Sequence, residues 1–305
     1  LWFFTLGAVD VALTQMLVEV LTVCVMVLLL RRLPRRFRRD PAPRRAGALV
    51  AATIAGVAST VGVLAFTGRR DMSEIARYYL TETYEQAGGV NVVNVILVDF
   101  RALDTLGEMT VLGVTGLTVA ALLMNRAPVR ALRSIVDERS PLAHVHENLV
   151  YARTFGRGLG PVIIAMSALL LLRGHYEPGG GFIAALVAGA GYALMYLSAD
   201  TDRDRRLRWP YLTLIGSGVA LGTAAGLTGY LTGEGFLAAS GVKILGYGLS
   251  TTLVFDMGVY LCVLGLVVAA FTLLGPDTVE EAPDDGDAPE KAAPGAATTR
   301  EEATR

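Results

Sequence analysis

Apolar residues along this chain gather into runs of about 20, the length at which a helix crosses roughly 30 Å of hydrocarbon. Seven runs stand out, at about 4–30, 47–67, 102–124, 158–173, 180–199, 209–231 and 249–274. The fourth and fifth sit at the lower length limit, so their helices are expected to extend into the flanks. The pattern predicts an all-α integral membrane protein of about seven transmembrane helices in two blocks. Between the second and third runs, residues 68–101 are long for a loop. Residues 73–86 (SEIARYYLTETYEQ) read there as an amphipathic helix ended by Gly88 and Gly89. The run NVVNVILVDF (91–100) is apolar with interspersed Asn, and is expected to lie over the membrane surface or against a neighbouring protein. Residues 126–149 read as a polar cytoplasmic linker. Residues 276–305, rich in Ala, Pro, Asp and Glu without apolar periodicity, read as a disordered cytoplasmic tail.

Composition sharpens the class. Of 305 residues, 53% are hydrophobic and only 18% charged, and the 34 glycines suit close helix packing in lipid. The net charge of −1 conceals segregation. Arg31, Arg32, Arg35, Arg36, Arg38, Arg39, Arg44 and Arg45 crowd the first connection. Arg126, Arg130, Arg133 and Arg139 lie in the third, and Arg203, Arg205, Arg206 and Arg208 in the fifth. The alternate connections are poorer in arginine, which places the start outside and the C-terminus in the cytoplasm. Cys24 and Cys262 lie in apolar runs and read as free thiols. His144 and His146 form a His-x-His pair without a third ligand, so no structural metal site is expected. Nothing points to an iron–sulfur cluster, haem or nucleotide, and no cofactor is expected. No hydrolytic triad or phosphate loop appears, so the chain reads as a non-enzyme. The start at Leu1, without Met or a signal peptide, reads as a piece of a longer protein.

A carboxylate in hydrocarbon costs several kcal/mol unless it is neutralised, paired or hydrated, which makes each one a candidate for ion handling. In the first helix, Asp10 lies near the outer end and Glu19 near the middle. Gln15, Glu19 and Thr22 share an arc of about 60°, with Asp10 on the opposite side. In the third helix, Arg101, Asp104 and Glu108 share another such arc. The two acids, one turn apart, repel each other, while Arg101 favours their ionisation. Glu108 is the first choice for a proton-coupled site. The seventh helix holds Asp256 between Thr252 and Tyr260, with Lys243 upstream near the outer surface. The bland alternative makes these acids interhelical clasps, and it weighs most for Asp10 and Asp104. The turn RGHYEPGGGF (173–182) sets His175 and Glu177 beside Pro178 and three glycines. His175 is a candidate proton relay, although turn chemistry alone accounts for the glycines about as well.

The stretches GAVDVALTQMLVE (7–19) and NVVNVILVDFRALDTLGE (91–108) resemble the C-terminal region of the A subunit of Mrp-type multisubunit sodium/proton antiporters, itself related to the D and E subunits of membrane-bound hydrogenases. The stretches LLRGHYEPGGGFIAALVAGAGYAL (171–194) and LVFDMGVYLCVLG (253–265) resemble the Mrp B subunit. The resemblance implies the end of an A subunit over 1–125 with three membrane helices and a domain like the B subunit over 150–275 with four. It also implies exchange of Na+ for H+ driven by the proton motive force in a bacterial cell membrane, supporting pH and salt homeostasis. The implied partners are the antiporter-like module of the A subunit, the C, D, E, F and G subunits, membrane lipid, and Na+ and H+ as cargo, but no nucleic acid. The resemblance implicates Arg101, Glu108 and Phe182 in antiport. Val9 stands where the family usually has proline, so no helix break is expected there. Two alternatives remain: a component of a membrane-bound hydrogenase or another complex-I-like redox pump, and a purely structural membrane scaffold.

Overall fold

A computed structural model describes residues 7–30, 42–67, 71–124, 149–198, 209–239, 241–244 and 247–274. The arginine-rich connections (apart from Arg44 and Arg45), the linker with its His-x-His pair and the acidic tail lie outside the described residues.

Each apolar run is a helix: α1 Val9–Leu30, α2 Ala42–Thr67, α5 Ala102–Met124, α6 Leu149–Arg173, α7 Gly181–Ser198, α8 Tyr211–Leu231 and α9 Thr251–Leu274. Six of them are long and apolar enough to cross a membrane, and α6 has a shorter apolar portion, Gly158–Arg173. This is an all-α, multi-pass membrane protein. The fourth helix does extend into its flank, since it begins at Leu149.

The best-buried membrane helix is α7, and α9 packs on it and on α8, α5 and α1. Helices α8 and α9 meet backbone to backbone: a Cβ on Gly218 would strike the Gly258 carbonyl, and one on Gly258 would strike Gly218 and Gly222. Small residues permit such approach, and in lipid close packing is what drives helix association. At the far end of the bundle from the glycine turn described below, Tyr192, Tyr196 and Phe271 form an aromatic cluster with centroid spacings of 5.6–6.3 Å. By contrast, no described residue of α2 between Arg44 and Phe66 is buried.

The segment between α2 and α5 departs from the sequence expectation. Helix α3, Glu74–Ala87, does form, with Ser73 as its N-cap and Gly88, at φ 68°, as its C-cap. The next run does not lie on a surface. It folds as a short helix α4, Val92–Val95, and a widened π-helical turn, Ile96–Phe100, with Asn94, Val95 and Val98 buried among this chain's own helices. The Asn side chains explain the difference. Asn91 caps α4 and donates to the Gly174 and Glu177 carbonyls at 3.0 and 2.9 Å, so the segment is stitched to the turn after α6. Arg101 closes the π turn, its N–H reaching the Ile96 carbonyl, and α5 begins only after it. A further unpredicted feature is an antiparallel hairpin before α9, β1 Gly241–Ile244 with β2 Tyr247–Ser250, in which Lys243 pairs with Gly248.

Candidate functional site

The glycine turn between α6 and α7 organises the candidate site. Asp256, on α9, is 4% exposed, and its Oδ1 accepts the Gly181 N–H at 2.7 Å. Gly181 is the first residue of α7, so the carboxylate caps a helix N-terminus, where unpaired N–H groups and the helix dipole favour an anion. Oδ2 faces the Asn94 amide at 3.5 Å. Asp10, on α1, is 5% exposed and accepts the Gly179 N–H at 3.0 Å, with the Asn91 side chain as a second partner. Gly180 has φ 97°, and any Cβ there would enter the Asn94 amide. Two buried acids from opposite ends of the chain therefore hold one turn from two sides.

Glu108, Phe182 and Asp256 meet at a cavity of about 30 Å³, whose other polar lining comes from Asn94 and Thr105. Thr105 donates its hydroxyl hydrogen to the Leu97 carbonyl in the π turn at 2.7 Å. Met109, which lines the aliphatic side, accepts the Cys262 thiol at its carbonyl at 3.4 Å. Glu108 is otherwise exposed on the flank of α5.

Other candidates lie elsewhere. Arg101 forms an exposed ion pair with Asp104, and the break before α5 takes its backbone out of the helical arc expected for it. Gln15 donates to Glu19 at 2.6 Å on an exposed face of α1, opposite buried Asp10. Arg173 pairs with Glu177 at 3.0 Å, also exposed. The His175 carbonyl accepts the Val90 and Asn91 N–H groups at 3.1 Å, and its ring lies 3.2 Å from the Ala87 carbonyl. Beside it stands Asp99, whose carboxyl is raised above its ordinary 3.8 by burial, with the charge of His175 pulling it back. Sequence reasoning passed over Asn91, Asn94, Asp99 and Thr105. Only the spacing of two Asn in an otherwise apolar run hinted at the first pair.

Residues 151–269 match the family model described as a domain related to the MnhB subunit of Na+/H+ antiporter. Residues 43–139 match the MbhE model, the E subunit of MBH, and residues 1–35 match the MbhD model, its D subunit. The chain is 34% identical over 305 residues to the probable K+/H+ antiporter A/B subunit of Rhizobium meliloti (strain 1021), covering 91% of this chain and 30% of that protein. Among solved structures, the Mrp complex from Dietzia sp. DQ12-45-1b is 49% identical with a TM-score of 0.77, covering 92% of this chain and 31% of that one. The chain thus carries stretches similar to the MbhD and MbhE subunits followed by an MnhB-related domain. The chain is also 40% identical over 129 residues to the Na+/H+ antiporter A1 subunit of Staphylococcus saprophyticus, covering 42% of this chain and 16% of that protein. The chain thus spans less than a third of the length of each of these relatives.

Proposed function

We propose that this chain is the end of an A subunit joined to a B subunit in a multisubunit monovalent cation/proton antiporter of the bacterial cell membrane. Residues 1–125 supply the A part and residues 150–275 the B part. The chain works with the antiporter-like module of the A subunit and with the remaining components of the complex, and it makes and breaks no covalent bond of a substrate. The observation that carries the reading is the cavity where Glu108, from the first part, meets Phe182 and Asp256, from the second. Two acids facing a small cavity inside a membrane bundle suit proton or cation passage. The names of the relatives offer two cations, Na+ and K+, and Na+ is the first to test. The start of the chain is read as outside and its C-terminus as cytoplasmic.

The test is cation-induced proton release in inverted vesicles carrying the whole complex, with Na+ and K+ in turn. Wild type is expected to respond to at least one. At equal protein levels, Glu108→Gln is expected to lower that response about a hundredfold or more, the usual scale for losing one positioned acid–base group. Assembled Glu108→Gln complexes that exchange at the wild-type rate would remove Glu108 from the mechanism. Wild-type complexes that ignore both cations would sink the antiporter reading.

A further inference from the structure

The two oxygens of Asp256 are treated unequally. Oδ1 has a short bond from Gly181, whereas among the described residues Oδ2 has only the Asn94 amide at 3.5 Å, beyond the usual range for N–H···O. A buried carboxylate oxygen left in that state is costly. Asp256 also lines the cavity of about 30 Å³. Roughly 10–15 Å³ of such space holds one water, which needs two to four polar partners. The polar wall offers four: Asp256, Asn94, Thr105 and Glu108. Thr105 has given its hydrogen to Leu97, so its oxygen faces the cavity as an acceptor. Asn94, Thr105 and Asp256 are 4–6% exposed, so water reaches them only from within the bundle. Glu108 differs, since it lines the cavity and is also open on the flank of α5. Glu108 and Asp256 are the two titratable groups among the lining residues.

We propose that this cavity holds a water molecule that relays a proton between Glu108 and Asp256, joining the two parts of the chain into one proton path. The proposal rests on the antiporter reading and adds to it an inner acceptor and its carrier. In the inward step the Glu108 O–H bond breaks and its proton joins the water oxygen. A different O–H bond of that water breaks, and its proton forms the Oδ2–H bond of Asp256. The water is regenerated, Glu108 becomes charged, Asp256 becomes neutral, and no electron changes hands. The return step reverses each bond. Asn94 is a positioning residue: with Gly181 it fixes the carboxylate plane so that Oδ2 faces the cavity.

The test uses the whole complex in membranes and infrared difference spectra induced by cation addition and, separately, by a pH step. A carboxyl C=O band absent from Asp256→Asn is expected to shift in Glu108→Gln. A water stretching band sensitive to oxygen-18 water is expected to vanish in both variants. Val259→Ile adds one methyl group to the cavity wall and leaves every polar group in place. It is expected to abolish the water band and slow proton release at least tenfold. Should either acid variant fail to assemble, Val259→Ile decides alone. The relay is overturned if Val259→Ile releases protons at the wild-type rate, or if the Asp256 band keeps its frequency in Glu108→Gln with no water band lost. The pH-step spectra separate this from the antiporter reading. A complex that shows the coupled bands but ignores cations keeps the relay and loses antiport; one that exchanges cations without the coupled bands does the reverse.

Discussion

Asp256 answers to two demands that substitution can separate. Its Oδ1 satisfies a buried N–H at the start of α7, and its charge state serves any proton chemistry at the cavity. Asn retains an oxygen for Gly181, whereas Ala leaves that N–H unpaired, a loss of about 1–3 kcal/mol. Asp256→Asn is therefore expected to assemble and fail in exchange, while Asp256→Ala also lowers the melting temperature of the complex, as read by fluorescence-detected size exclusion after heating. Asp99 provides a pH prediction. Burial raises its carboxyl above 3.8, so the folded state binds the proton more tightly than the unfolded chain. Its contribution to stability is present at low pH and falls as pH rises from near 3.8 through the raised native value. Asp99→Asn is expected to flatten that slope in melting curves taken across this range. Equal slopes in the two proteins would remove Asp99 as its source. The individual acids were legible in the sequence because charge in an apolar run is conspicuous. What each one touches was not, since Gly179 and Gly181 lie far from Asp10 and Asp256 along the chain.

Among the elements, the α8–α9 pair depends on glycine at its crossing. A side chain on Gly258 would push the two backbones apart, whereas Gly216, on the same α8 helix, has open space around it. Gly258→Leu is expected to abolish the assembled complex on native gels and Gly216→Ala to leave it intact. A Gly258→Leu complex at normal levels would show that the packing tolerates separation. The spans themselves were readable from the sequence, because a helix of about 20 apolar residues is the simplest way to pair every backbone group in lipid. The segment 91–100 was misread for a definite reason. Its apolar pattern fits a surface segment and a buried one equally well. The choice was made by Asn91, whose amide finds two carbonyls in the turn after α6. The hairpin before α9 escaped notice because its Gly-rich strands are short and carry little periodic signal.

For the molecule as a whole, the exposure of α2 and of the Gln15–Glu19 face of α1 has one consequence. A carboxylate turned out of the bundle at mid-membrane depth is expensive against lipid, so that face requires a protein or hydrated neighbour. The chain also spans at most 31% of the relatives named above. Reconstituted alone in liposomes, it is expected to give no cation-dependent proton flux above protein-free vesicles, with flux returning when the rest of the complex is co-expressed. Flux from the chain alone would place the full transport path within these residues. By itself the sequence determined the membrane class, the spans, the amphipathic helix and the family resemblance, because each is written in local hydropathy, composition or contiguous motifs. Only the tertiary structure decided that Asp10 and Asp256 grip one glycine turn, that Asn94 reaches from the first part of the chain to the second, and that Glu108 and Asp256 share a cavity. Those relations join residues up to 169 positions apart, and they exist only once close helix packing has fixed how the helices face one another.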